Sequence, residues 1–335
     1  MRLIATNAGE ISLSSSLPAK LKSLQVRESI AYGAEGAFGH VLLQELEGDG
    51  ISMQYSHLQF TENDKIQYDL DQPSLCLHIS LSNTFLYEVD GLGTGFLHER
   101  GLNLNYVPSM HARVKVECER LYRHLTIFYK PEHLSPLQES FPGLDLFLKN
   151  TEAGKAGQFN TTYCIADHPI MLLIDTILKC PYTGTLRKIY LEHIAMDILV
   201  LALVQIRESG IKAITPLSEE EIAPIYRAKE ILLRDIEKPF SLTDLAEETG
   251  LSPYKLNGGF KSVFAMGVTE FLLEQRMERA HLLLQEKDML VSTVAKKSGY
   301  SHPNAFSLAF KKYFGYTPGF VQKNSRSSGN ESNPE

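Results

Sequence analysis

Tryptophan is absent from this 335-residue chain, and cysteine is scarce. The four cysteines, Cys76, Cys118, Cys164 and Cys180, show no C-x-x-C spacing. Reduced core thiols of a cytoplasmic protein are therefore expected, not a zinc ribbon or a disulfide framework. No apolar run reaches the ~20 residues that a membrane span needs. The strongest stretch, Ile198–Val204, is closed off by Asp197, Gln205 and Arg207 and reads as a buried helix. Met1–Thr6 carries one arginine and runs into serines, so no secretory leader is expected. The histidines His40, His57, His78, His98, His111 and His124 are scattered, with no His-x-His followed by a strand-spaced glutamate, and His98-Glu99 alone is too little to hold a metal. A phosphate-binding glycine loop and a Gly-x-Ser-x-Gly elbow are also missing. Together these absences point away from hydrolases and metal enzymes, towards a protein without catalytic residues, metal or cofactor.

What is present is a globular composition, 43% hydrophobic and 22% charged. The net charge of −7 is unevenly spread. Residues 1–217 hold 18 Lys and Arg against 24 Asp and Glu, whereas Ser252–Arg326 holds 11 against 5. A basic block inside an acidic chain is what phosphate binding needs, because each neutralised phosphate releases condensed counterions.

Hydrophobic period divides the chain further. Residues 1–130 alternate like short strands, at Gly39–Leu46, Ile51–Phe60, Leu75–Leu81, Phe96–Tyr106, Arg113–Glu117 and Leu121–Lys130, with Glu47-Gly48-Asp49-Gly50 as a tight turn. That pattern predicts a sandwich or barrel. Residues 131–209 turn helical, with helices at Pro169–Lys179 and Thr185–Glu208. The second is apolar around most of its girth, which suits a core helix that also meets a second copy. A linker is expected at 210–217. Ser218-x-x-Glu221 reads as a capping box opening a helical region over 218–323, and the Ser/Asn/Gly-rich 324–335 as a disordered tail.

The informative feature is an internal repeat. Leu245-Ala246-x3-Gly250-Leu251-Ser252-x3-Leu256-x3-Phe260-Lys261 recurs as Val294-Ala295-x3-Gly299-Tyr300-Ser301-x4-Phe306-x3-Phe310-Lys311. The small alanine allows close helix packing, and the glycine ends the first helix in a left-handed turn. Ser252 and Ser301 are placed to cap the next helix, whose apolar residues at i and i+4 face inward. Each copy is thus a helix-turn-helix. Met266–Gln285 joins them and, as a helix, spans roughly 30 Å at about 1.5 Å per residue, close to the ~34 Å of one DNA turn.

With Arg276-x3-Ala280-x2-Leu283-Leu284, Phe314-Gly315 and Thr317-Pro318 added, residues 219–323 resemble the whole DNA-binding module of the AraC/XylS family of transcription regulators. Lys-Leu-x-x-Gly-Phe around Leu256 is similar to the family's siderophore-regulator branch. The resemblance implies a cupin-like β-rich sensing domain followed by a helical dimerisation region, with double-stranded promoter DNA, RNA polymerase, a small-molecule effector and a second copy of the chain as partners. A ferric siderophore is the effector candidate, and activation the expected output. Carried over by position, the DNA contacts are Tyr254, Lys255, Asn257 and Lys261 in the first unit, and His302, Asn304, Ser307, Lys311 and Lys312 in the second. Many members carry arginine where this chain has Gly258 and Leu308, which alters the expected guanine readout, and Gly258-Gly259 lowers helix propensity in the first unit. In the sensing region His57, Tyr68, His78, Tyr106, His111 and Tyr122 interleave with apolar positions, a mix suited to an aromatic or metal-chelating ligand.

Overall fold

In the computed structural model, which describes residues 2–160, 164–209, 219–264, 266–285 and 289–327, alternating segments of the first 130 residues pair into two antiparallel sheets. The strands are β1 (Arg2–Ala5), β2 (Gly9–Glu10), β3 (Ile30–Gly36), β4 (Gly39–Glu47), β5 (Ser52–Phe60), β6 (Asp64–Leu70), β7 (Ser74–Ser82), β8 (Phe85–Val89), β9 (Gly93–Leu97), β10 (Gly101–Val107), β11 (Met110–Val116) and β12 (Leu121–Phe128). A four-residue helix α1 (Ala19–Lys22) lies between β2 and β3. One sheet has the order β2-β1-β6-β11-β8-β9, and the other runs β10-β7-β12-β5-β4-β3. The expected strand Phe96–Tyr106 is in fact two. The chain leaves β9 at His98, Arg100 takes a left-handed φ of 62°, and the Gly101 N–H closes the turn onto the His98 carbonyl at 2.8 Å.

The larger sheet buries its most apolar face outward. Leu75, Leu77, Ile79, Leu104, Leu125 and Ile127 share one core cluster with Ile170 and Ile174 of α4 (His168–Leu178) and with Leu191, Ile194, Ile198 and Ala202 of α5 (Gly184–Ser209). Between the strands and these helices come α2 (Pro131–Leu134) and α3 (Leu144–Glu152). Two further short strands, β13 (Gly157–Gln158) and β14 (Cys164–Ile165), both pair with β10. Residues 131–209 therefore build onto the same sheet and the same core. The Tyr129 hydroxyl donates to the Ala195 carbonyl at 2.7 Å and so pins α5 across the strands.

Chain contacts divide the protein into two units, Met1–Ile214 and Thr215–Glu335. The expected linker 210–217 and the capping serine Ser218 lie outside the described residues. The second unit is helical: α6 (Glu219–Arg234), α7 (Leu242–Thr249), α8 (Pro253–Phe264), α9 (Val268–Gln285), α10 (Val291–Lys297), α11 (Pro303–Phe314) and α12 (Pro318–Ser327). Residues 324–327 belong to α12 instead of the expected tail, and 328–335 lie outside the described residues.

Candidate functional site

The two halves of the repeat fold as two helical hairpins around separate aromatic cores. In the first, Phe260 and Phe264 of α8 meet Phe271 of α9 at ring separations of 5.6 and 5.2 Å, and Tyr226 of α6 meets Phe264 at 5.5 Å. In the second, Phe306, Phe310 and Phe314 run along α11 beside Met277, Ala280 and Leu284 of α9. Gly250 and Gly299 take left-handed φ values of 71° and 77° at the two turns. Ser252 caps α8 by accepting from the Lys255 N–H at 3.2 Å. Ser301 does not cap α11: the extra residue in the second turn puts His302 in the cap position, without a side-chain hydrogen bond.

Pointing the aromatic rings inward leaves the opposite stripes of α8 and α11 open. Tyr254 is 88% exposed, and Lys255, Gly258 and Lys261 are exposed along the same helix. On α11, Asn304, Leu308, Lys311 and Lys312 are exposed, with Leu308 at 74%, and His302 is exposed just before them. Two of the residues assigned to DNA from the sequence are committed elsewhere. Asn257 is half-buried, and its Oδ1 accepts from the Val268 N–H at 3.0 Å, so it ties α8 to the start of α9 instead of facing outward. Ser307 is half-buried and its hydroxyl donates to the Pro303 carbonyl at 2.9 Å.

The first unit of the chain holds a second candidate site. Between the two sheets lies a cavity of about 180 Å³ whose lining includes no charged side chain. Its floor, from the larger sheet, sets the polar groups of Asn105, Cys76, His78, Thr126, His124 and Gln54 among the apolar Leu43, Leu58, Phe60 and Phe128. Its roof, from the smaller sheet, is apolar and aromatic, with Tyr68, Phe85, Tyr87 and Ala112. His78 Nδ1 and Thr126 Oγ1 are 2.8 Å apart, and the His78 and His124 rings lie 5.5 Å apart. Burial pulls the His78 imidazole down to about 4; burial first, and then the neighbouring His78, hold His124 well below the usual histidine range. Both rings are neutral near pH 7 as a result. His124 Nε2 and Asn105 Oδ1 are buried without a hydrogen-bond partner. Of the six ring-bearing residues picked out from the sequence, Tyr68, His78 and Tyr122 line this cavity. The other three lie off it: His57 stacks on His40 at 5.3 Å, His111 bonds Asp69 at 3.0 Å, and Tyr106 joins the core under the helices. His124 and Asn105 were not singled out as ligand groups. The signal for His124 is the alternation Tyr122, His124, Thr126, Phe128 along one face of β12.

Comparison with known proteins matches residues 38–217, more than half of the chain, to the family model of the regulatory protein PchR N-terminal domain, and residues 245–324 to a helix-turn-helix domain. The chain belongs to the PchR family of AraC-type transcription regulators. Regulatory protein PchR of Pseudomonas aeruginosa is 33% identical over 126 residues, covering 37% of this chain and 43% of that protein. The HTH-type transcriptional regulator GlxA of Rhizobium meliloti is 35% identical over 92 residues, 28% of each chain. The aligned segments thus span less than half the length of these relatives. A solved AraC-type regulator from Chromobacterium violaceum is similar over 35% of this chain and 100% of its own, at 23% identity and a TM-score of 0.30. The curated relatives are regulators, not enzymes.

Within this PchR-family chain the paired glycines of α8 have different physical roles. A Cβ on Gly259 would lie 2.8 Å from Cγ1 of the buried Ile225 and closer still to its Cδ1, so the missing side chain lets α8 close onto α6. A Cβ on Gly258 meets nothing within 4 Å. Gly258→Ala is therefore expected to raise stability by roughly 0.5–1 kcal/mol through helix propensity. Gly259→Ala should lower it by about 1–3 kcal/mol through overpacking. Urea unfolding of the two variants checks both signs, and equal effects would show that α8 does not seat on Ile225.

Proposed function

We propose that this chain binds promoter DNA by placing α8 and α11 in adjacent major-groove segments, and that a small molecule in the sandwich cavity controls that binding. The observation that carries the first part is the pair of exposed stripes, each on a helix whose opposite face is locked into an aromatic core. Side chains on such a stripe are free to meet base edges and phosphates. Tyr254, Lys255 and Lys261 would hold the first segment, and His302, Asn304, Lys311 and Lys312 the second. Ser307 keeps an acceptor for DNA, while Asn257 serves the fold. The 18 residues of α9 span about 27 Å at 1.5 Å per residue, of the order of one DNA turn.

The DNA reading is tested by selecting duplexes from a random pool with the full chain and footprinting the enriched site. Two protected segments about one turn apart are expected, with binding that weakens steeply as salt rises. Lys312→Ala should weaken all duplexes alike, whereas Asn304→Ala should relax preference at one base pair. A folded chain that retains no duplex even at low salt sinks the reading.

The effector reading is supported by the orphaned His124 and Asn105 groups, since a buried polar atom without a partner costs about 1–3 kcal/mol. A ligand that satisfies them recovers that cost. The uncharged lining favours an uncharged, compact molecule, for instance a ring bearing hydroxyl and carbonyl groups. About 180 Å³ is below the ~300–1,000 Å³ of pockets for larger ligands, so a ferric siderophore would need the sheets to part. Adding uncharged ring compounds and ferric chelates separately, and following the thermal midpoint, distinguishes these classes. The true effector raises the midpoint of the unmodified chain by mass action and loses that effect with His124→Phe. A compound that shifts both proteins equally binds elsewhere.

Assembly as a homodimer is supported by α5, whose Leu186, Ile189 and Val200 are exposed along one stripe opposite its buried face. Ile189→Glu combined with Val200→Glu should leave a folded monomer with weakened affinity for a paired site. Sedimentation of the unmodified chain as a monomer at micromolar concentration, with and without DNA, would remove this idea. Contact with RNA polymerase, and location in the cytoplasm where promoter DNA lies, follow from the same regulatory reading; loss of promoter-bound activation with a purified polymerase would test the contact.

A further inference from the structure

The two reading helices carry different chemistry at the same place. Beyond the serine the repeat offset is 50 residues, so Gly258 of α8 corresponds to Leu308 of α11. Gly258 leaves open space there, while Leu308 stands 74% exposed. We propose that Leu308 makes the second unit a reader of thymine, taking the C5-methyl group of a T next to the adenine that Asn304 pairs. The first unit reads no base with the corresponding position.

Position comes first in the case for this. Asn304, Leu308 and Lys311 are spaced i, i+4 and i+7, which puts them on one stripe of α11, and all three are exposed while Phe306 and Phe310 are fully buried. Leu308 therefore sits in the middle of the face that meets DNA, with Asn304 one turn before it and Lys311 about one turn after it. Chemistry then narrows the base. Leucine has neither donor nor acceptor, so it cannot pair guanine O6 and N7, adenine N6 and N7, or cytosine N4. Thymine alone offers an apolar group on the major-groove edge. Set against G·C, the leucine would instead strand the polar edge of that pair without a partner. Asn304 supplies the complementary preference, because an amide pairs adenine bidentately. The longer Lys311 and Lys312 reach phosphates, which position the helix without reading sequence.

This inference rests on α11 entering a major groove, so its test keeps the two failures apart. The full chain first selects sites from a random duplex pool, and deoxyuridine then replaces each enriched thymine in turn, removing one methyl group and nothing else. One thymine in the second segment, adjacent to an adenine, should lose about fourfold in affinity on that replacement, the value of burying one methyl-sized group. Leu308→Ala should bind the thymine and deoxyuridine sites equally, with an unchanged thermal midpoint because the side chain is exposed. Leu308→Arg should move the selected base at that position to guanine. An enriched site where deoxyuridine is harmless throughout the second segment overturns the proposal, as does an equal loss with Leu308→Ala. A pool from which no duplex is enriched removes the DNA reading itself, and this inference with it.

Discussion

One guanidinium ties the two helical hairpins together through α9. Arg276, in the middle of α9, donates from Nε to the Ile236 carbonyl at 3.0 Å and from a terminal nitrogen to the Lys238 carbonyl at 2.7 Å, both in the segment after α6. On its other side lies the turn of the second unit. A Cβ on Gly299 would sit 2.6 Å from the same guanidinium. Burial lowers the Arg276 pKa, and the neighbouring Tyr300 opposes that, but arginine keeps its charge throughout the physiological range. The planar fork of donors is what allows one side chain to satisfy two carbonyls, and a lysine ammonium has no such geometry. Arg276 and Gly299 are thus two halves of one contact: the glycine is required by a left-handed φ and also by an arginine that needs the space.

The sandwich has two apolar cores, one between its sheets and one on the outer face of its larger sheet. The larger of these is on the outer face, where leucine and isoleucine rows meet α4 and α5. That cluster frees the inner face to carry Asn105, His78, Thr126, His124 and Gln54, residues that would weaken a sandwich depending on its interior alone. The sheet consequently connects the cavity to the helices. Strands β7, β10 and β12 present polar residues to the cavity and apolar residues to the helical cluster that contains α5, so a ligand that shifts one of them would alter the surface on which α5 rests. Regulation through that route requires unequal ligand affinity for two arrangements of the sheet; occupancy without such a difference changes nothing.

How much of this was legible in the sequence differs between the halves. The helix-turn-helix repeat was readable because each requirement is local: a glycine at a left-handed turn, an alanine at a close crossing, apolar residues four apart. Boundaries of α4 and α5 also followed, to within a residue, from period and flanking glycine or proline. What stayed hidden depended on partners distant in sequence. Gly259 reads as a weak spot in a helix until Ile225, 34 residues earlier, is seen against it. Asn257 has the residue type and the spacing of a base reader, yet the Val268 N–H claims it. The split of Phe96–Tyr106 escaped because apolar residues continue across His98–Arg100 while the backbone turns. His124 and Asn105 resembled ordinary strand residues, since a cavity exists only once two sheets face each other.

The two hairpins differ on the faces that do not fold them. Their interiors follow one scheme: Leu256 and Phe260 in α8 occupy the places of Phe306 and Phe310 in α11, and all four are fully buried. The outward stripes share Lys261 and Lys311 but otherwise diverge, with Tyr254 where the second copy has Asn304 and Gly258 where it has Leu308. Because the two faces of each helix make no common contact, a change on the outward stripe leaves the aromatic core as it was, with effects on stability limited to helix propensity. Under the proposed DNA reading, sequence preference is adjustable at little cost to the fold. The constraint falls instead on Arg276, Gly299 and Asn257, whose contacts within the chain set where α8 and α11 stand.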